Sequence, residues 1–133
     1  MITIIFSVFL FGGCGIALWK GRASERLTAV LLLAAAFVSP LVATTSFIGP
    51  ELGILAIDAA LFVFLIMLAM VSDRFWPMWA AGFQIVGTLI HVARFVDVTI
   101  WPNAYATAEA FWAYPVLLAL AIGTWCEARY RTQ

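Results

Sequence analysis

Charged residues are scarce in this sequence, which carries seven basic and seven acidic side chains among its 133 residues, or 11%. A soluble domain contains about a quarter charged residues, so this composition argues against a water-soluble protein. Cysteine is also rare, and we interpret Cys14 and Cys126 as free thiols. The basic residues form no patch interleaved with aromatic residues, and we therefore expect no nucleic acid partner.

The short motifs of catalysis are missing as well. The chain has no Gly-rich phosphate loop, no Gly-x-Ser-x-Gly, no His-Glu-x-x-His and no run of metal ligands. Their absence removes the reaction classes that leave such signatures, although it does not exclude every enzyme. We therefore expect a protein that is not an enzyme and that holds no metal and no cofactor.

Apolar residues are what the sequence has in abundance: 65% of the chain is hydrophobic and the mean hydropathy is +1.08. They occur in runs of roughly 17 to 25 residues, each long enough to cross a lipid bilayer. We predict an all-α polytopic membrane bundle, a single transmembrane domain over 1–133, with four transmembrane helices as the alternative to five. The five predicted spans lie near 2–19, 27–47, 53–72, 76–99 and 105–126.

The positions of the basic residues predict the orientation, because Lys and Arg are retained on the cytoplasmic side of bacterial membranes. Six of the seven basic residues lie in the first break, the third break or the C-terminal tail: Lys20, Arg22, Arg26, Arg74, Arg129 and Arg131. Merging two runs would place a basic break on the wrong face. The consistent prediction is five spans in a bacterial inner membrane, with the N-terminus outside and the C-terminus in the cytoplasm.

The tryptophans support the same boundaries, because amphipathic rings settle at the level of the lipid headgroups. Four of them lie near the predicted cytoplasmic boundary and one, Trp101, lies near the outer boundary. The four are Trp19, Trp76, Trp79 and Trp125. Trp112 falls inside the fifth span and does not fit this pattern.

The fourth span has a polar face, which must contact protein or water and not lipid tails. Its members recur at helical intervals, with the last a further step around the helix: Gln84, Thr88, His91, Arg94 and Asp97. Ionisable groups inside a span are costly, and such groups are therefore candidate functional residues.

Asp58 in the third span is the expected partner of this polar face. At 1.5 Å per residue from the Asp73-Arg74 turn, Asp58 lies roughly 24 Å along its helix, His91 roughly 26 Å and Arg94 roughly 30 Å. Since the two spans form a hairpin, we expect Asp58 to pair with Arg94 or to accept a hydrogen bond from His91. All three residues are expected in the outer half of the membrane.

This polar cluster has three interpretations. We favour a charge-neutralised clamp between helices, because two acids and one arginine satisfy one another. The second interpretation is a proton relay or an anion site that opens outward. The third makes His91 an axial ligand of haem or of a chlorophyll-type pigment, although a lone histidine supplies one ligand and the chain has no Cys-x-x-Cys-His motif.

The absence of an exposed domain and the many small residues favour a non-catalytic accessory or assembly subunit of a larger membrane complex, of respiratory or photosynthetic type. Its partners would be the lipid bilayer and either other membrane subunits or further copies of itself. One alternative is a small transporter or channel that uses Asp58, His91 and Arg94. A second alternative is a redox membrane protein associated with haem, pigment or quinone.

Overall fold

The computed structural model describes residues 2–45, 50–97, 99 and 102–132, and this part of the chain is helical. The five helices are α1 Ile2–Lys20, α2 Ala23–Thr45, α3 Pro50–Val71, α4 Trp76–Val96 and α5 Pro102–Arg131. The prediction of an all-α fold is thereby confirmed. Within the described residues, three stretches are long and apolar enough to cross a membrane, namely Leu52–Val71, Trp76–Val96 and Phe111–Arg131, which indicates a membrane protein.

Two helices end three or more residues away from the predicted end of the span. Helix α4 stops at Val96, and Asp97 adopts an extended conformation with φ −127° and ψ 97° while its N–H donates to the carbonyl of Ala93. The predicted span 76–99 therefore extends three residues past the end of this helix. Helix α5 continues to Arg131, past the predicted end at 126. Hydropathy marks where a chain suits lipid, whereas the polar residues of this tail are good helix formers and prolong the helix.

The helices form a closed ring, since each packs against its neighbours in the sequence and α1 also packs against α5. Small side chains fill many of the buried positions, among them Ala17, Ala29 and Ala80. At Gly13 an added Cβ would lie 3.5 Å from the carbonyl oxygen of Leu117, so α1 and α5 are in close contact there. Close backbone approach at small residues is the usual means of helix packing in bilayers.

Large apolar side chains face outward instead of filling the interior. Trp19, Met70 and Phe111 are 79%, 81% and 60% exposed. In water such a surface would drive aggregation, whereas in lipid it is the expected outer surface of a bundle. Both cysteines in the described chain are free; Cys14 is buried and Cys126 is exposed.

The antiparallel order places three segments at one end of the bundle: the α1–α2 connection, the α3–α4 connection and the C-terminus of α5. We call this the basic end, because Lys20, Arg74 and Arg131 make contacts there between segments that are distant in the sequence.

Candidate functional site

The centre of the candidate site is an acid and a histidine on neighbouring helices. Asp58 is in α3 and His91 is in α4, and Nε2 of His91 lies 2.7 Å from Oδ2 of Asp58. The histidine side chain is fully buried, whereas the aspartate side chain is 22% exposed. The contact becomes an ion pair when the imidazole is protonated. The structure thus brings together Asp58 and His91, which were predicted to lie at similar depth from the helical rise along the α3–α4 hairpin.

A partly open cavity of about 360 Å³ adjoins Asp58 and is lined by residues from all five helices. Its wall is mostly apolar, with Asp58 and Gln84 among its few polar groups. Aromatic side chains contribute a large part of the surface; Phe83 of α4 stacks on Trp112 of α5, with ring centroids 6.5 Å apart. An apolar cavity with a few converging polar groups is the usual form of a small-molecule site.

Gln84 and Thr88 have different roles in this arrangement. Gln84 is buried, and its side-chain amide donates to the backbone carbonyl of Asp58 over 3.5 Å, which is a long hydrogen bond. Thr88 donates its hydroxyl to the carbonyl of Gln84 over 2.9 Å, within its own helix. Gln84 therefore supports the site across the α3–α4 interface, whereas the described hydrogen bond of Thr88 remains local.

Among the described residues, neither Arg94 nor Asp97 contacts the carboxylate of Asp58 through an ion pair or a hydrogen bond. In the part of the chain that the structure describes, Asp58 forms an ion pair with His91 and none with Arg94. Asp97 lies beyond the end of α4, is exposed, and accepts hydrogen bonds from the N–H and hydroxyl of Thr99 at 2.9 and 2.6 Å. The prediction that Asp97 extends the polar face of the helix was wrong, because the helix ends one residue before it.

The geometry of His91 also bears on the haem and pigment hypothesis. Nε2, a usual metal-binding nitrogen of histidine, lies against the carboxylate of Asp58, so axial ligation through this atom would break that contact. No group of three or more metal-ligating side chains occurs among the described residues. The haem and pigment hypothesis stays a prediction.

A second polar cluster, which was not predicted from the sequence, lies at the basic end. Its centre is Glu25 near the start of α2, whose carboxylate is fully buried. Arg74, in the α3–α4 connection, forms an ion pair with Oε1, and the indole N–H of Trp76 donates to the same oxygen over 3.0 Å. Oε2 accepts from the backbone N–H of Arg22 over 2.8 Å and from the hydroxyl of Ser24 over 3.3 Å. We call these residues the Glu25 network.

The Glu25 network ties together four segments of the bundle. Arg74 also contacts the hydroxyl of Ser24 over 2.9 Å and lies 3.7 Å from the carboxylate of Glu127 in α5. Part of this network had a sequence signal. Arg22 directly precedes α2, and Glu25 follows it by three residues. A glutamate at this spacing often accepts a hydrogen bond from the backbone N–H of the residue before the helix, as Glu25 does from Arg22. The long-range partners Arg74 and Trp76 had no such signal.

The pKa of Glu25, which lies before the predicted span 27–47, reflects two opposing effects. Burial raises this pKa, because it disfavours the charged carboxylate, whereas the hydrogen bonds from Arg74 and Trp76 lower it. The net result is a pKa below the usual value for glutamate. Glu25 is therefore held as a carboxylate at neutral pH.

Trp76 does not lie at the protein surface with the other tryptophans of this end. It is 4% exposed, whereas Trp79 is 51% and Trp125 is 47% exposed. Its ring packs onto Gly123 of α5, where an added Cβ would lie 2.3 Å from the Cβ and Cγ of Trp76. The ring of Trp76 therefore packs inside the bundle, and its N–H donates to Glu25; its position at the cytoplasmic boundary of a membrane stays a prediction.

No protein family model, curated protein or solved structure matches this chain.

Proposed function

We propose that this chain is an integral membrane protein that binds a small amphipathic molecule in the cavity beside Asp58. The observation that carries the proposal is a partly exposed carboxylate on an otherwise mostly apolar cavity inside the helix ring. A cavity of ~150 Å³ is enough to hold benzene, so about 360 Å³ accommodates a larger molecule.

The chemistry of the wall indicates the kind of ligand. Asp58 accepts hydrogen bonds and carries negative charge when ionised, so it suits a donor or a cationic group. The aromatic rings of Phe6, Phe83 and Trp112 suit an apolar or aromatic body, and they also attract a cation by cation–π interaction. A lipophilic amine combines these features. His91 holds the aspartate in place from the buried side.

A matched pair of probes tests this proposal. 2-Phenylethylamine and ethylbenzene share an apolar body, and only the first carries an amine. We expect 2-phenylethylamine to raise the melting temperature of the purified protein in mild detergent more than ethylbenzene does. The Asp58→Asn variant should lose this difference and keep the response to ethylbenzene.

Asp73→Asn is the control variant, because it removes the same charge from an exposed residue outside the cavity. It should respond to both probes as the wild type does. Equal stabilisation of the wild type by both probes would show that Asp58 does not take part in binding. No stabilisation by either probe would contradict a binding cavity of this chemistry.

We also propose that all five helices cross a bacterial inner membrane, with the N-terminus outside. The support is the collection of basic residues at one end of the bundle, on the α1–α2 connection, the α3–α4 connection and the tail. A reporter fused after Gln133 should be active in the cytoplasm. A reporter inserted at Asn103 should report the outside, and cytoplasmic activity there would contradict the five-span arrangement.

A second candidate function, an accessory subunit of a larger membrane complex, is favoured by two exposed glycines on α1. Gly12 and Gly15 share one face, and an added Cβ at either position would meet nothing within 4 Å. Bare backbone of this kind lets a helix of another chain approach closely in lipid. Crosslinking in native membranes should capture a foreign subunit on the wild type and on Gly82→Leu, but not on Gly12→Leu/Gly15→Leu. Unchanged crosslinking in the double variant would contradict this face as the interface.

A further inference from the structure

A pocket at the basic end brings together three cations, one from the end of α1 and two from the end of α5. It is lined by Lys20, Trp125, Ala128, Arg129, Arg131 and Thr132, and it has a volume of about 510 Å³. We call it the tail pocket. It is separate from the Asp58 cavity, with which it shares no lining residue.

The tail pocket is built by contacts between α1 and α5. The ammonium group of Lys20 lies 4.1 Å from the ring centroid of Trp125 and 5.4 Å from that of Trp19. Arg131 donates a hydrogen bond to the backbone carbonyl of Lys20, at the C-terminal end of α1. These contacts hold two of the cations against the protein, and the guanidinium of Arg131 keeps further N–H donors for a ligand.

The positive charge of the tail pocket is not balanced by acids in the described part of the chain. No carboxylate there forms an ion pair with Lys20, Arg129 or Arg131. The nearby acids Glu25 and Glu127 both interact with Arg74 instead. The pocket therefore suits a ligand with at least one negative charge and several acceptor oxygens, which is the chemistry of a phosphate.

We propose that the tail pocket binds the phosphodiester of an anionic phospholipid. The tryptophans distinguish a lipid from a soluble phosphate. Trp19 and Trp125 are 79% and 47% exposed beside the cations, and exposed tryptophans at the end of a membrane helix lie at the headgroup level. A phosphate at that depth belongs to a lipid, and its acyl chains can lie along the apolar outer surface of the bundle.

Native mass spectrometry of the purified chain in mild detergent tests this proposal. The protein is titrated with phosphatidylglycerol, phosphatidylcholine and soluble glycerol 3-phosphate. We expect phosphatidylglycerol to bind more tightly than either of the others. Each cation near a lipid surface contributes about fivefold in affinity, so Lys20→Gln/Arg131→Gln should weaken phosphatidylglycerol binding by about 30-fold.

Arg22→Gln/Arg26→Gln is the matched control, because both arginines are exposed near the same end and neither lines the pocket. Its affinity for phosphatidylglycerol should stay within about twofold of the wild type, since charge outside the pocket acts only through screened, long-range attraction. Arg129→Gln provides a variant that leaves the helix contacts intact, because Arg129 contributes only its backbone carbonyl to the described hydrogen bonds. It should lose about fivefold.

Three results would overturn the proposal. Equal binding of phosphatidylcholine would show that charge is not recognised. Equal binding of glycerol 3-phosphate would identify a soluble phosphate as the ligand. An unchanged affinity in both Arg129→Gln and Lys20→Gln/Arg131→Gln would place the lipid elsewhere on the protein.

Discussion

Glu25 and Asp58, two acids in the described part of the molecule, differ in how completely their carboxylates are satisfied. Glu25 is fully buried and accepts hydrogen bonds from four residues. The side chain of Asp58 is 22% exposed, faces a cavity, and has the ring of His91 as its described side-chain partner. An acid whose acceptor positions are all occupied by the protein can only hold segments together. An acid with free acceptor capacity beside a cavity can also bind a ligand.

This difference follows the geometry of the two regions. At the basic end, the short α1–α2 and α3–α4 connections bring several backbone and side-chain donors to one carboxylate. Deeper in the bundle each residue lies within a regular helix, so the backbone donors are already used and only side chains can reach an acid. Loss of either acid should therefore have different consequences.

The largest expected effect is the loss of the carboxylate at the basic end. Glu25→Ala removes the partner of Arg74 and of the indole N–H of Trp76, and we expect it to lower the free energy of unfolding by about 3–5 kcal/mol. Asp58→Ala should cost about 1–3 kcal/mol, because water in the adjoining cavity can replace part of the lost contact. Denaturant titration in mild detergent measures both. An equal or larger loss for Asp58→Ala would contradict the proposed division between the two regions.

Packing at the basic end gives the next effect. Gly123→Ala would place a methyl group 2.3 Å from Trp76, and we expect the forced shift of the ring to cost about 1–3 kcal/mol. Gly82→Ala is the matched control, since an added Cβ there meets nothing within 4 Å. It should be neutral or stabilise the protein by up to about 1 kcal/mol through helix propensity. Similar stabilities for the two variants, measured by thermal unfolding, would show that the ring is free to move.

Double-mutant cycles sharpen the description of the Asp58 cluster. Because Asp58 lies against His91, we expect Asp58→Asn and His91→Gln to be coupled by about 1–2 kcal/mol. Asp58→Asn and Arg94→Met should be additive within about 0.5 kcal/mol. Free energies of unfolding of the single and double variants give both coupling terms. Strong coupling between Asp58 and Arg94 would instead support the predicted charge-neutralised clamp between these two residues.

The smallest effect is a pH dependence at Glu25. Its pKa is lower in the folded protein than in the unfolded chain, so the unfolded state binds more protons at low pH and stability falls as the pH falls. The stabilisation is fully present above the ordinary glutamate pKa of about 4.3 and is lost as the pH falls through the lowered value. Between pH 7 and 4, we expect a loss of at most about 0.6 kcal/mol relative to Glu25→Gln. A loss of the same size in Glu25→Gln would assign it to another group.

The features that depend on local patterns along the chain could be predicted from the sequence. Hydropathy identified five helical segments, and the helical rise placed Asp58 beside His91 because α3 and α4 form a hairpin. The use of this pair as a binding site remains a prediction. The network around Glu25 was missed, because its partners lie 49 and 51 residues away and depend on how α2 packs beside the α3–α4 connection. Arg74 contributed to the sequence predictions only through the orientation of the spans.

The same separation along the chain has a consequence for biogenesis. A membrane protein is synthesised from its N-terminus, so Glu25 leaves the ribosome before Arg74 and Trp76 have been translated. Until then its carboxylate must remain in contact with water or headgroups or take up a proton, because burying an unpaired charge is costly. The contacts of Glu25 with Arg74 and Trp76 can therefore form only after the start of α4 has been synthesised.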